Sequence, residues 1–145
     1  MYKRNSTAPI ENHLPTIIRL RQFSADWRGT MILSPCPTLN PLAHHNMDIF
    51  DQWSKAHVRM VVTLLEKAEI KALGFDLLAA HLSQTDIMWH HFPIRNMDAP
   101  ANSNELRLQE IIIHMAQCFS AGKTVFIHCH AGLGRTGLVA ATVLK

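Results

Sequence analysis

The sequence contains no run of lysine or arginine, no CxxC pair, no internal repeat and no low-complexity tract. No apolar stretch approaches the roughly 20 residues that span a bilayer. Each absence removes a class of function. Without a basic track, the formal net charge of +3 comes from dispersed Lys and Arg, which suits small anionic groups and not a nucleic-acid groove. The opening MYKRNSTAPIENHLPT is polar and interrupted by prolines, so it lacks the apolar centre of a secretory signal. The three cysteines, Cys36, Cys118 and Cys129, are odd in number and widely spaced, which fits a reduced cytoplasmic setting better than a disulfide framework. What remains is 145 residues, 48% hydrophobic and 17% charged, the size and balance of one globular domain with a real core.

After a loose arm to about Pro15, Thr16 to Phe23 and Thr30 to Ser34 are short β-branched or apolar runs. They flank the turn-like Asp26-Trp27-Arg28-Gly29 and read as strands. Pro35, Pro37, Asn40 and Pro41 mark a surface loop. Ile49, Trp53 and Ala56 recur at helical spacing after Asn46, which predicts an amphipathic helix over 47–56. Val58 to Leu65 is the near-continuous apolar run of a parallel-sheet strand. Two helical pieces broken at Gly74 follow, with Leu77, Leu78 and Leu82 on the inner face of the second, and Ile87 to Phe92 reads as another strand.

A loop rich in Pro, Asn and Asp runs from Pro93 to Asn102. Asn102 with Glu105 resembles a capping box, Leu108, Ile112, Met115 and Phe119 form one stripe, and Gly122 ends that helix. Thr124 to His128 is a buried-type strand, and Leu138 to Leu144 is helical. Strands alternating with helices predict a single α/β domain over 16–145, with a central, mostly parallel sheet flanked by helices.

The segment Cys129-His130-Ala131-Gly132-Leu133-Gly134-Arg135-Thr136-Gly137 joins the last strand to the last helix. A strand, a glycine-rich turn and a helix start aim backbone N–H groups, from His130 through Arg135, at one point, where a tetrahedral oxyanion binds. A cysteine opens this loop and there is no Gly-Lys-Ser/Thr ending, which separates it from a nucleotide loop. Among inward N–H groups and near a guanidinium the Cys129 thiolate is stabilised, and thiolate is the nucleophilic form that attacks phosphorus. Arg135 can hold two phosphate oxygens through its planar fork. Gly132 and Gly134 keep Cβ atoms out of the anion's way.

His128-Cys129, five residues, then Arg135-Thr136-Gly137 resembles the signature of the protein-tyrosine phosphatase superfamily. The wider resemblance is to its compact dual-specificity group, notably the kinase-associated phosphatases and their prokaryotic relatives. It rests further on Val61-Val62-Thr63-Leu64-Leu65-Glu66 and Trp89-His90-His91-Phe92-Pro93-Ile94, and so spans roughly residues 30 to 145. The resemblance implies the cysteine-phosphatase fold, no metal and no cofactor. It also implies that Thr136 donates a hydrogen bond to the Cys129 sulfur, and that His128 helps set the thiolate's environment.

Similar phosphatases use an aspartate on a mobile upstream loop to protonate the leaving oxygen, often with a proline four residues later. Here the residue four before Pro100 is Asn96, which has no titratable proton, and Asp98 lies two residues further on. Asp98 is the only carboxylate of that loop and the favoured acid; Asn96 in the acid position, with slow turnover or binding alone, is the alternative. The family also often carries polar residues after the loop helix that position the hydrolytic water. The sequence stops at Lys145 without them, so either the domain is truncated there or another group positions the water.

Other residues have plainer readings. Cys118 and the indoles of Trp53 and Trp89 fall at core positions. Cys36, between two prolines, is either exposed or packed, and nothing local in the sequence supports a redox pair with Cys129. Most of the ten histidines read as surface and strand residues, because none has the i, i+4 spacing with a carboxylate of a helical zinc site. His130 differs: beside the phosphate, its charge would favour acidic substrates or lipids. Arg95 either grips substrate or is solvated, and Trp27 has no assigned role.

The activity implied is hydrolysis of phosphotyrosine, and by extension phosphoserine or phosphothreonine, on a phosphorylated protein or peptide through a cysteinyl-phosphate. A phosphoprotein-binding module with weak turnover is the alternative. A phosphoinositide or RNA 5′-phosphatase ranks lower, because the loop has no lysine and no basic track is evident. The sequence does not specify the oligomeric state.

Overall fold

The computed structural model describes residues 15–37, 48–95, 105–130 and 134–144. The N-terminal arm, Pro41, Asn96, Asp98, Asn102 and the loop residues Ala131, Gly132 and Leu133 lie outside them.

Strand β1 (Thr16–Arg19) runs into one turn of 3-10 helix (Leu20–Gln22), so the predicted strand to Phe23 stops early. Strand β2 (Thr30–Ser34), helix α1 (Asp48–Lys55), strand β3 (Val58–Thr63), helices α2 (Lys67–Ala72) and α3 (Phe75–Leu82) and strand β4 (Met88–His91) follow. Helix α4 (Glu105–Ser120), strand β5 (Thr124–His128) and helix α5 (Gly134–Val143) complete the described chain. The last helix begins at Gly134, four residues earlier than its apolar pattern suggests, because the first turn is made of glycine, arginine and threonine.

The sheet order is β1-β2-β5-β3-β4. Only the β1–β2 pair is antiparallel; β2, β5, β3 and β4 are parallel. Thus β5 is inserted between two earlier strands, with neighbours on both edges and helices over both faces. That double cover explains why all five of its residues are buried and why it reads as an unbroken apolar run.

Side chains alternate between two cores. One face gathers Met31, Met60, Val62, Val125 and Ile127 under α4 and α5. The other gathers Trp53, Val61, Phe75, Leu78, Leu82 and Phe126 under α1 to α3. Two expectations about these faces are corrected. Leu77 is 55% exposed, and the inner stripe of α3 is Phe75, Leu78 and Leu82 at the i, i+3, i+7 spacing. On α4 the fully enclosed positions are Ile111, Met115 and Phe119, with Leu108 and Ile112 only flanking the core. Trp53 is buried as expected, whereas Trp89 is half-buried. Trp27 packs on Phe119 with ring centroids 5.1 Å apart.

The turn before β2 is docked tightly. A Cβ at Gly29 would lie 2.1 Å from the Lys123 carbonyl oxygen, while Gly29 N–H donates to Phe119 O at 3.0 Å. This close approach holds β2 in register with β5 and requires glycine.

Candidate active site

The C-terminal ends of the parallel strands converge where β5 gives way to the 129–133 segment, the place where open α/β sheets bind ligands. Cys129, immediately after β5, is 3% exposed. Arg135, in the first turn of α5, is 4% exposed, and the Cys129 sulfur lies close enough to accept from its guanidinium. The structure therefore brings these two predicted residues together.

Arg135 is gripped by a residue that the sequence reading did not single out. Its Nη1 donates to Glu69 Oε1 at 2.6 Å and its Nη2 to Glu69 Oε2 at 2.9 Å, and Nη1 also donates to Ile94 O at 3.0 Å. Glu69 sits in the first turn of α2, where its Oε1 also accepts the Glu66 N–H at 2.8 Å. The hydrogen bonds from Arg135 hold the Glu69 carboxyl below its usual pKa, and the same contact raises that of Arg135. The link between Glu69 and Arg135 spans 66 residues and leaves no local signal. We expect Glu69→Gln to leave the fold intact and to lower kcat about ten- to a hundredfold, the usual effect of losing an orienting partner. Steady-state kinetics with a change under twofold would exclude that role.

Glu69 and Ile94 O thus engage three of the five guanidinium hydrogens, leaving two for the Cys129 sulfur and an oxyanion.

His128 closes β5 beneath the cysteine. His128 Nδ1 faces Cys129 O at 3.4 Å, an atom that can only accept, so a neutral ring carries its proton on Nδ1. Its Nε2 then accepts from the Thr63 hydroxyl 2.7 Å away, whose oxygen also accepts the Trp89 Nε1–H at 2.8 Å. Phe75 and Phe126 pack against the ring, and burial pushes its pKa down to about 3. The neutral, fixed imidazole therefore holds the backbone at the start of the loop. The indole of Trp89 serves this network and also packs against the second core.

The depressed pKa has a consequence for stability. Unfolded His128 takes up a proton below about pH 6.5 and the native imidazole does not, so this stability is present above that pH and lost as pH falls toward 3. The loss reaches about 2 kcal/mol by about pH 5. Chemical denaturation across this range should show a slope that flattens in His128→Gln; an unchanged slope would refute the contribution.

Thr136 is fully buried, and among the described residues its Oγ1 has no hydrogen-bond partner. The bond to the Cys129 sulfur implied by the resemblance is not formed here. The Gly134 backbone is not left-handed, and among the described residues an added Cβ would meet no atom within 4 Å, so the space beside it is open.

His130 is exposed, and its carbonyl accepts the Cys36 N–H at 3.0 Å. This contact draws Cys36, in the segment after β2, toward the site. Its thiol is half-buried, and burial, followed by the charges of Cys129 and Glu69, pushes its pKa up to about 12. Cys118 lies in the first core, and burial also raises its pKa.

This α/β sheet with its cysteine-and-arginine loop is the architecture of the compact dual-specificity phosphatases of the protein-tyrosine phosphatase superfamily. A family model described as "Tc-R-P: Polymorphic toxin system, DSP-PTPase phosphatase" matches residues 40–145, and the chain belongs to that family. The fold is similar to that of kinase-associated phosphatase, solved with its catalytic-site cysteine replaced by serine. That match has 20% identity and a TM-score of 0.73, and covers 90% of this chain and 72% of the other. Tk-PTP in its active form shares 28% identity at a TM-score of 0.57, over 79% of this chain and 66% of its own. A putative protein tyrosine phosphatase from Leishmania major matches at 18% identity and a TM-score of 0.56, over 90% and 78%. No curated protein matches the sequence. Among the described residues no helix is long and apolar enough to cross a membrane.

Proposed function

We propose that this phosphatase hydrolyses phosphomonoesters of a protein or peptide through a cysteinyl-phosphate on Cys129. The observation that carries this reading is the placement of the Cys129 sulfur against the Arg135 guanidinium, which is tied down by Glu69 and Ile94 O. A fixed cation beside a sulfur favours thiolate, and the guanidinium hydrogens not taken by Glu69 and Ile94 O can hold the equatorial oxygens of the transferring phosphoryl group. Cys129 attacks phosphorus, the P–O bond to the leaving group breaks, and water then displaces the sulfur. His130, Ala131, Gly132, Leu133 and Gly134 contribute backbone N–H groups, and Thr136 is the hydroxyl suited to ease the departure of sulfur once the phosphoenzyme has formed. His128 acts by positioning Cys129, since both of its ring nitrogens are engaged.

The leaving oxygen needs a proton. Arg135 holds Ile94 O, two residues before Asn96 and four before Asp98 in the sequence. Asp98 is the general acid in this reading because it alone of the two can give up a proton. Asp98→Asn should lower kcat about a hundredfold or more on phenyl phosphate, and far less on an ester with a good leaving group. Equal small losses on both substrates would instead favour Asn96 at the acid position and a phosphoprotein-binding role with weak turnover.

The whole reading is tested by hydrolysis of a phenyl phosphate: it should be blocked by vanadate and persist in chelator. Phosphopeptide binding without phosphate release would replace it with the binding-module reading.

A further inference from the structure

At the opposite end of the sheet from Cys129, an open cavity of about 300 Å³ lies where β3 and β5 begin. Lys123, at its edge, is six residues before Cys129, which places the two ends roughly 20 Å apart along an extended strand. The cavity is therefore separate from the phosphate loop.

Its wall contains two backbone irregularities. His57 has φ +61°, left-handed for a non-glycine residue, at the position after α1 where glycine is usual. Its backbone is held there: its N–H donates to Ser54 O at 3.1 Å, and its carbonyl accepts from Thr124 N at 3.0 Å. Two residues on, the register between β3 and β5 slips between Val58 and Met60, so Arg59 is the bulged residue. It is also the one exposed residue of a strand whose other five are buried. Bulges and left-handed residues redirect side chains and concentrate at functional sites. Here both bring a basic or imidazole side chain to the same cavity.

The chemistry of the lining is divided. Arg59 and Lys123 are both among its lining residues, and neither is in an ion pair among the described residues. Phe50, Val58 and Ile87 supply an apolar surface, while Asp86 supplies an acceptor suited to hydroxyl or amino groups. The volume is at the small end of ligand sites.

We infer that this cavity is a second, non-catalytic site for a small phosphate-bearing molecule of about nucleoside-monophosphate size. The phosphate sits between Arg59 and Lys123 with His57 beside it, the organic body lies on Phe50 and Ile87, and Asp86 accepts from its hydroxyl or amino groups. The inference is independent of the hydrolytic reading, since it uses none of the residues of the phosphate loop.

The test is an amide-resolved NMR titration of the full chain with inorganic phosphate and, separately, AMP. The expected result is one set of saturating shifts over residues 54–59, 85–87 and 123, distinct from any over 128–136, with AMP binding more tightly than phosphate. Arg59→Gln combined with Lys123→Gln should weaken AMP at the first set about tenfold or more, the usual worth of charge-assisted contacts, while leaving phenyl phosphate hydrolysis unchanged. His57→Gly separates ligand from backbone: glycine relieves the left-handed conformation, so thermal stability should hold or rise while AMP binding weakens. Shifts confined to 128–136, or shifts at 54–59 that survive the double substitution, would overturn the proposal. AMP binding no tighter than phosphate would overturn the apolar seat.

Discussion

Replacement of Cys129 by serine should reduce hydrolysis of a phenyl phosphate by about ten-thousandfold or more, while oxyanion binding to the loop is retained. The size of the loss follows from the surroundings. A serine hydroxyl needs a base to become nucleophilic. The adjacent imidazole is unsuited: His128 Nε2 is engaged by Thr63, and its Nδ1 faces the carbonyl of residue 129. The substitution is close to isosteric at a site only 3% exposed, so folding and phosphate binding should survive. Turnover and vanadate binding measured on the same preparation check this; residual activity within about tenfold of the parent would remove the cysteinyl-phosphate from the mechanism.

Replacement of Arg135 by lysine should cost about a thousandfold in kcat, in the range seen when an arginine that stabilises a transferring phosphoryl group is lost. Formal charge is preserved, so charge alone predicts a small effect. Geometry predicts a large one. The guanidinium serves Glu69 and Ile94 O with three hydrogens and keeps two for the sulfur and the phosphate, whereas an ammonium presents a single compact group of three donors. Lysine drawn to Glu69 would leave the phosphoryl oxygens without their clamp. The kcat loss should exceed the rise in KM, because the contact strengthens as charge develops in the transition state. A loss below tenfold would mean that Arg135 is mainly a structural partner of Glu69.

These two side chains lie in one short segment, which is why they could be singled out from sequence. The loop joins a buried strand to a helix start within a few residues, so Cys129 and Arg135 are constrained to the same neighbourhood by local chain geometry. The parallel strands were legible for a related reason: helices on both faces make Val58–Thr63 and Thr124–His128 almost wholly buried. The helix faces were less so. Three leucines in α3 satisfied a hydrophobic count, but only a stripe that includes Phe75 faces inward, because the helix restarts after the left-handed Gly74.

The groups that act on the loop from outside it left no comparable signal. Glu69 is 66 residues from Arg135, and Thr63 is 65 from His128. Cys36 approaches the site only because β2 lies parallel beside β5, with Ser34 opposite His128, which carries the Cys36 N–H to His130 O. By itself the sequence determined the α/β class, the strand-loop-helix that carries Cys129 and Arg135, and the ambiguity between Asn96 and Asp98. Tertiary structure decided how Arg135 is held, which tautomer supports the cysteine backbone, and that a second basic cavity opens at the far end of the sheet. The division is physical: periodicity and turn chemistry act over a few residues and are written locally. Hydrogen bonds across a parallel sheet depend on strand order, which no local pattern records.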